Sequence, residues 1–194
     1  MRPNGEKTDV GTIVSEETVF GDGFLPVIKR VVRTPDGQTR EPQLLWDRTG
    51  KEFVVAVAIG PDDKFVLVKE PKYGQMEYSV GPAIGAIKQG EDIINAAGRV
   101  LLAETGYKVE RWYHLITGTV IEIPDKSDGG GHHLMIGINA VKKREPESGC
   151  QVILASRQAV EDMLWGRSSL RIDRAMGIAA MFLAIQFLAD RNLC

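Results

Sequence analysis

An α/β layered domain built on a mixed sheet is the fold class this sequence predicts, and three observations predict it. Apolar, β-branched runs recur along the chain, separated by turns rich in Pro, Gly and Asp. Helical patterns occupy about residues 92–105, 156–164 and 170–191. One run, residues 52–60 (EFVVAVAIG), is apolar almost throughout, as a strand covered on both faces must be. Strands wrapped by three helices pack in layers.

The elements follow in order. Residues 1–20 lack the apolar stretch of a secretory signal and are too acidic for a transit peptide, so a loosely held tail is expected there. Residues 21–47 read as a hairpin extension. Strands at 27–33 (VIKRVVR) and 39–46 (TREPQLLW) flank Thr34-Pro35-Asp36-Gly37, which has turn chemistry, and Pro42 marks the second strand as an edge. The main domain is expected over 48–194. Its strands at 52–60 and 64–70 surround Pro61-Asp62-Asp63. After the first helix, residues 111–123 and 132–141 read as strands around a Gly- and Asp-rich loop, PDKSDGGG, expected to be mobile and to border a site. A strand at 151–155 leads to Ser156, a helix cap, and the chain closes in a long helix. Its apolar stretch, Ala175 to Ala189, falls short of the ~20 residues a bilayer requires and is expected to be a buried helix.

Composition narrows the function classes. With 194 residues and 43% hydrophobic content, one well-buried domain with an extension is expected. The 24 basic and 26 acidic residues nearly cancel and no basic run stands out, which argues against duplex nucleic acid as a partner. Cys150 and Cys194 imply no disulfide framework, and a reducing cytoplasm fits them.

Chemistry concentrates in Gly85 to Tyr107, GAIKQGEDIINAAGRVLLAETGY. A helix from about Asp92 to Thr105 would end at Gly106 in the left-handed conformation, with Glu91 and Asp92 at its positive end. At 100° per residue, positions 100, 103 and 104 share an arc of roughly 100°, so carboxylates at all three would hold divalent cations jointly. Here they are Val100, Ala103 and Glu104. Glu104 lies among apolar neighbours near the helix's negative end and needs a partner: a metal, a cationic side chain, backbone amides or a proton.

This segment resembles the Nudix box, G-x5-E-x7-R-E-U-x-E-E-x-G-U, with Gly85, Glu91, Arg99, Leu101, Glu104, Gly106 and Tyr107 in register and Val100 and Ala103 where the pattern has Glu. The resemblance implies a Nudix-type α/β/α sandwich with a mixed β-sheet and an N-terminal β-hairpin extension. It covers residues 27–190 and is similar to the ADP-ribose pyrophosphatase branch of that superfamily. In LVKEPKYG (67–74), Lys69 and Lys72 match cationic, substrate-binding positions, although Lys does not reproduce the bidentate geometry of Arg. Pro82-Ala83 precedes Gly85 with Ile84 intervening. Where the branch carries an acid in its mobile loop, this chain has Gly129, with Asp128 and Glu122 nearby.

From the resemblance, Glu91 and Glu104 are the expected ligands of one Mg²⁺ or Mn²⁺ ion. Arg99 positions the acids, Lys69 or Lys72 contacts phosphate, and Trp46 stacks on adenine or anchors a dimer. A homodimer and a nucleotide-type ligand are implied as well. His132 and His133, neighbours on a strand, point to opposite faces and are expected as hydrogen-bonded or solvent-facing residues rather than one chelate. Two functions follow. One is hydrolysis of a nucleoside diphosphate linked to another moiety, giving AMP and a sugar phosphate from ADP-ribose. The other is a non-catalytic Nudix-fold module that binds a nucleotide or a protein.

Overall fold

Opposite charges placed face to face build the first part of the molecule. The computed structural model describes residues 7–8, 11–21, 26–40, 43–47, 51–72, 77–121, 127–128, 130–147 and 150–191. The chain divides into two units, residues 1–51 with 123–131 and residues 52–122 with 132–194. The first unit is a five-stranded sheet in the order β1-β2-β3-β4-β11, comprising Lys7–Thr8, Gly11–Phe20, Val27–Arg33, Gln43–Asp47 and Ser127–Asp128. Residues 11–20, expected in a loose tail, instead form β2. In register with β3, Glu16 opposes Arg30 and Glu17 opposes Lys29. The acids that make this segment look solvated are cross-strand partners of the basic residues in β3. The Arg30 Nε donates to Glu16 Oε2 at 2.7 Å, and the Glu16 side chain is only 3% exposed.

The hairpin turn is present. Gly37 (φ 85°) donates its N–H to Thr34 O at 2.9 Å, and Thr34 Oγ1 bonds the Asp36 carboxylate. The second strand of the hairpin, expected as an edge, is flanked by the short parallel β11 at Trp46 and Asp47. Pro42 lies outside the described residues.

The second unit carries the larger sheet. Its strands are β5 (Glu52–Ile59), β6 (Phe65–Lys72), β7 (Glu77–Gly81), β8 (Ala83–Ala86), β9 (Tyr107–Lys108), β10 (Arg111–His114), β12 (Gly131–Ile138), β13 (Val141–Lys142) and β14 (Gln151–Ala155). Seven of them form one sheet with the path β10-β12-β5-β6-β14, β7 pairing β6 and β8 pairing β5; β9 and β13 pair separately. The pairs β10–β12, β5–β6, β5–β8, β6–β7 and β6–β14 are antiparallel. At the starts of β5 and β12, Phe53 stacks on His132. At their ends, Ala140 N–H donates to Ile59 O at 2.7 Å. Starts meet starts and ends meet ends, so this pair runs parallel and the sheet is mixed.

The apolar run in β5 is buried on both faces, as its composition requires. Val55, Val57 and Ile59 join Phe65, Leu67, Leu134 and Ile136 under helices α2 (Arg157–Leu164) and α3 (Ala175–Asp190). Val54, Ala56 and Ala58 join Val66, Val68 and Met135 under α1 (Ile93–Thr105). The result is the expected α/β/α sandwich with an N-terminal hairpin extension. Full burial of a Leu or Val contributes roughly 1.5–3 kcal/mol, so the two cores hold the helices more firmly than helix propensity does.

Helix boundaries mostly follow local signals. Asp92 caps α1, its carboxylate accepting the N–H groups of Ile94 and Asn95, and Ser156 caps α2 through Ala159 N–H. The closing helix begins at Ala175, not at Leu170, because Ile172 is buried in the core and Asp173 accepts a hydrogen bond from Ser79 at 2.8 Å. The strand expected over 111–123 ends at His114, after which Gly118 (φ 86°) turns the chain. Among the described residues no helix is long and apolar enough to cross a membrane.

Candidate functional site

The loop before α1 is locked to the helix by one side-chain pair. Arg99 Nε and Nη2 donate to the two oxygens of Glu91 at 2.7 and 2.6 Å, in the forked geometry that suits guanidinium and carboxylate. The same Glu91 Oε2 accepts Lys88 N–H at 2.9 Å, and Arg99 Nη2 reaches Ala86 O at 2.8 Å. The hydrogen bonds from Arg99, then that from Lys88 N–H, hold the Glu91 carboxyl well below its ordinary 4.5, at about 2. Glu91 in return raises the Arg99 guanidinium.

The far end of α1 is finished with equal economy. Gly106 caps it at φ 75°, and a Cβ there would lie 1.9 Å from Arg144 O. Lys143 N–H donates to Gly106 O and Glu147 N–H to Ala103 O, each at 2.8 Å, which satisfies carbonyls the helix end leaves open.

Between these ends lies the arc of positions 100, 103 and 104. Val100 is 3% exposed and packs in the core beneath α1. It also presses on Gly85: a Cβ at Gly85 would sit 2.6 Å from Val100 Cγ2. Gly85 therefore serves as the hole for a valine knob. Ala103 and Glu104 are half-buried. Glu104 Oε2 accepts Ile84 N–H at 3.2 Å, so of the partners a carboxylate needs there, a backbone amide is one.

This donor set does not fit a joint multi-metal centre. Val100 and Ala103 offer no oxygen donors from their side chains, and both Glu91 oxygens are engaged by Arg99. Among the described residues no group of three or more His, Cys, Asp or Glu converges as a metal site.

The remaining expected residues lie on several elements. Lys69 is half-buried, its Nζ 4.9 Å from the Tyr78 ring centroid. Lys72 ends β6, with its backbone opposite Glu77. Trp46 is 44% exposed on β4 of the first unit. His132 and His133 are buried, not solvent-facing. His132 stacks on Phe53 at 5.3 Å between centroids, and His133 Nε2 lies 3.2 Å from Glu52 Oε2. Asp128 is on β11, while Glu122 and Gly129 lie outside the described residues, as does much of the loop expected to be mobile.

One grouping escaped the sequence. Lys69 and Tyr78 share a cavity with Ser169, Arg171 and Asp173, roughly a hundred residues further along the chain. The β6–β7 pairing and the packed turn before α3 bring them together, and no local pattern announces it.

No family model and no curated protein matches this chain. Among solved structures it is similar to an ADP compounds hydrolase, with a TM-score of 0.82 and 20% identity, covering 96% of this chain and 98% of the other. At that identity the likeness shows the fold, a Nudix-type α/β/α architecture over essentially the whole of both chains.

Proposed function

We propose that this is a Nudix-fold protein that binds a nucleoside diphosphate linked to a second moiety, of the ADP-ribose type, and hydrolyses it weakly or not at all. The observation that carries this is the burial of Val100 against Gly85. A helix face that would present carboxylates to cations is, at this position, a packing face. The fold shared with an ADP compounds hydrolase supports the ligand class. In this reading Glu91 and Arg99 position the loop, and Lys69 and Lys72 supply cations for phosphate.

A second reading, hydrolysis with a single Mg²⁺ or Mn²⁺, draws on Glu104, which keeps its place in the motif beside the Ile84 amide. Nudix hydrolases generally use these ions, and Glu104 would be the available acid, with Glu91 joining it only on release from Arg99. Bound, the ion would neutralise diphosphate charge. Calorimetry with ADP-ribose, run with and without Mg²⁺, separates the readings when paired with an assay for AMP release. Saturable binding with little AMP is the expected result. Fast release that is abolished by Glu104→Gln would overturn the first reading in favour of the second.

The same proposal includes a homodimer. Phe20, Val27 and Trp46 are direct cross-strand partners on one face of the first unit's sheet, and Leu44 shares that face. Phe20 is 76% exposed, Leu44 57% and Trp46 44%, an apolar patch that suits a second copy. Leu44→Glu should shift the sedimentation of the chain towards monomer; a parent that sediments as monomer would exclude the dimer.

A further inference from the structure

The cavity beside Tyr78 has a volume of about 460 Å³, within the roughly 300–1,000 Å³ of small-molecule sites. Its walls come from β6, β7 and the turn before α3, with Val80 and Leu170 as apolar lining. Val80 belongs to the core under α2 and α3, whereas Val100 belongs to the core under α1. The cavity is thus built on elements other than the helix that carries the motif.

Its chemistry is mixed in a specific way. Lys69 and Arg171 supply positive charge, and Glu77 and Asp173 supply negative charge. Asp173 is fixed by Ser79, which is 2% exposed and donates to Oδ1 at 2.8 Å. Tyr78 is 62% exposed and has the Lys69 ammonium over its ring. A simple anion would be repelled by the two carboxylates, and a simple cation by Lys69 and Arg171. A ligand that satisfies the whole set carries an anion at one end, hydrogen-bond donors for the acids, and a flat ring for the tyrosine.

We infer that this cavity seats a nucleoside 5′-phosphate group, with phosphate towards Lys69 and Arg171, amino or hydroxyl donors towards Asp173 and Glu77, and the base against Tyr78. This rests on the proposed ligand class and deepens it: it assigns the nucleotide end of that ligand to the α3 side of the sheet and makes its binding independent of divalent metal. Charge-assisted hydrogen bonds and stacking on an aromatic ring are each strong enough to be seen by single substitutions.

The test is calorimetric titration of the whole protein with AMP, adenosine, inorganic phosphate and ADP-ribose, all in EDTA. AMP and ADP-ribose should bind, and adenosine and phosphate should each bind at least about tenfold more weakly than AMP. Arg171→Ala and Tyr78→Ala, both at exposed positions, should each weaken AMP by about tenfold, with Arg171→Lys recovering part of the loss. Thermal melts confirm that the variants are folded. If ADP-ribose binds the parent and both variants alike, the cavity assignment is wrong while the ligand class stands. If inorganic phosphate binds as tightly as AMP, the role given to Tyr78 falls. If no nucleotide binds with or without Mg²⁺, the proposed function falls with it.

Discussion

The two halves of the Gly85–Tyr107 segment have been treated differently. In the first half, Glu91, Arg99 and Ala86 O form a closed set of hydrogen bonds that ties loop to helix. In the second, positions 100 and 103 carry Val and Ala, and Val100 is sealed in the core. The difference separates two jobs, tying a loop to a helix and packing the helix against the sheet. Residues that hold the frame help the chain fold whether or not a metal is bound. Acids whose use is to bind cations contribute nothing to folding when unoccupied, and at position 100 an apolar side chain fills the space instead.

The largest effect should come from forcing the second half to resemble a metal site. Val100→Glu places a carboxylate in the apolar core that also holds Val54, Ala56, Ala83 and Ala97, and it should cost roughly 3–5 kcal/mol. For a chain of this size that lowers the melting temperature by about 10 °C or more. Urea denaturation of the variant reads the loss directly. A stable Val100→Glu protein that gains Mg²⁺-dependent release of AMP would break the distinction drawn between the two halves.

Next is the fit between Gly85 and Val100. Gly85→Ala would bring a methyl group to 2.6 Å from Val100 Cγ2, an overpacking that should cost about 1–3 kcal/mol. Val100→Ala in the same chain should recover much of that cost, giving a measurable coupling between the two sites. Purely additive losses would mean that the glycine is required for another reason.

These contacts show what a sequence can and cannot disclose. The caps at Asp92, Ser156 and Gly106 are local, so the helices they bound were legible to within a residue or so. The spacing of Gly85, Glu91 and Arg99 disclosed the loop–helix frame for the same reason. Strand β2 was hidden because its acids find their partners only in register with β3. The start of α3 was hidden because Ile172 and Asp173 are held by tertiary contacts that override a helical composition. In the candidate site, the apolar residues at positions 100 and 103 were plain, but not the pressing of Val100 on Gly85 or the meeting of Tyr78 with Asp173. Both depend on how distant segments pack.

The first half offers a smaller, pH-dependent effect. Glu91 has a carboxyl held at about 2 against an ordinary 4.5, so the unfolded chain binds its proton first as pH falls. Its stabilising contribution is therefore complete above about pH 4.5 and disappears towards pH 2. Glu91→Gln should cost about 1–2 kcal/mol near neutrality, and the difference from the parent should shrink steadily as the pH is taken from about 5 to 3. A difference that stays constant over this range would mean that the Arg99 pairing does not supply the stability.

The smallest effect should come from Ala103→Glu, and its contrast with Val100→Glu is the finest test of the comparison. Ala103 is half-buried, and Ala and Glu are both good helix formers, so the exchange itself should cost only a few tenths of a kcal/mol. A new carboxylate near Glu104 and the helix's negative end adds unfavourable electrostatics, which brings the expected total to about 0.5–1 kcal/mol. The variant should remain folded and show no metal-dependent turnover, because position 100 still packs against Gly85. Should Ala103→Glu alone release AMP from ADP-ribose with Mg²⁺, then Glu104 with one restored neighbour is sufficient for chemistry. The burial of Val100 would then set the number of ions that the helix holds and not whether it holds any.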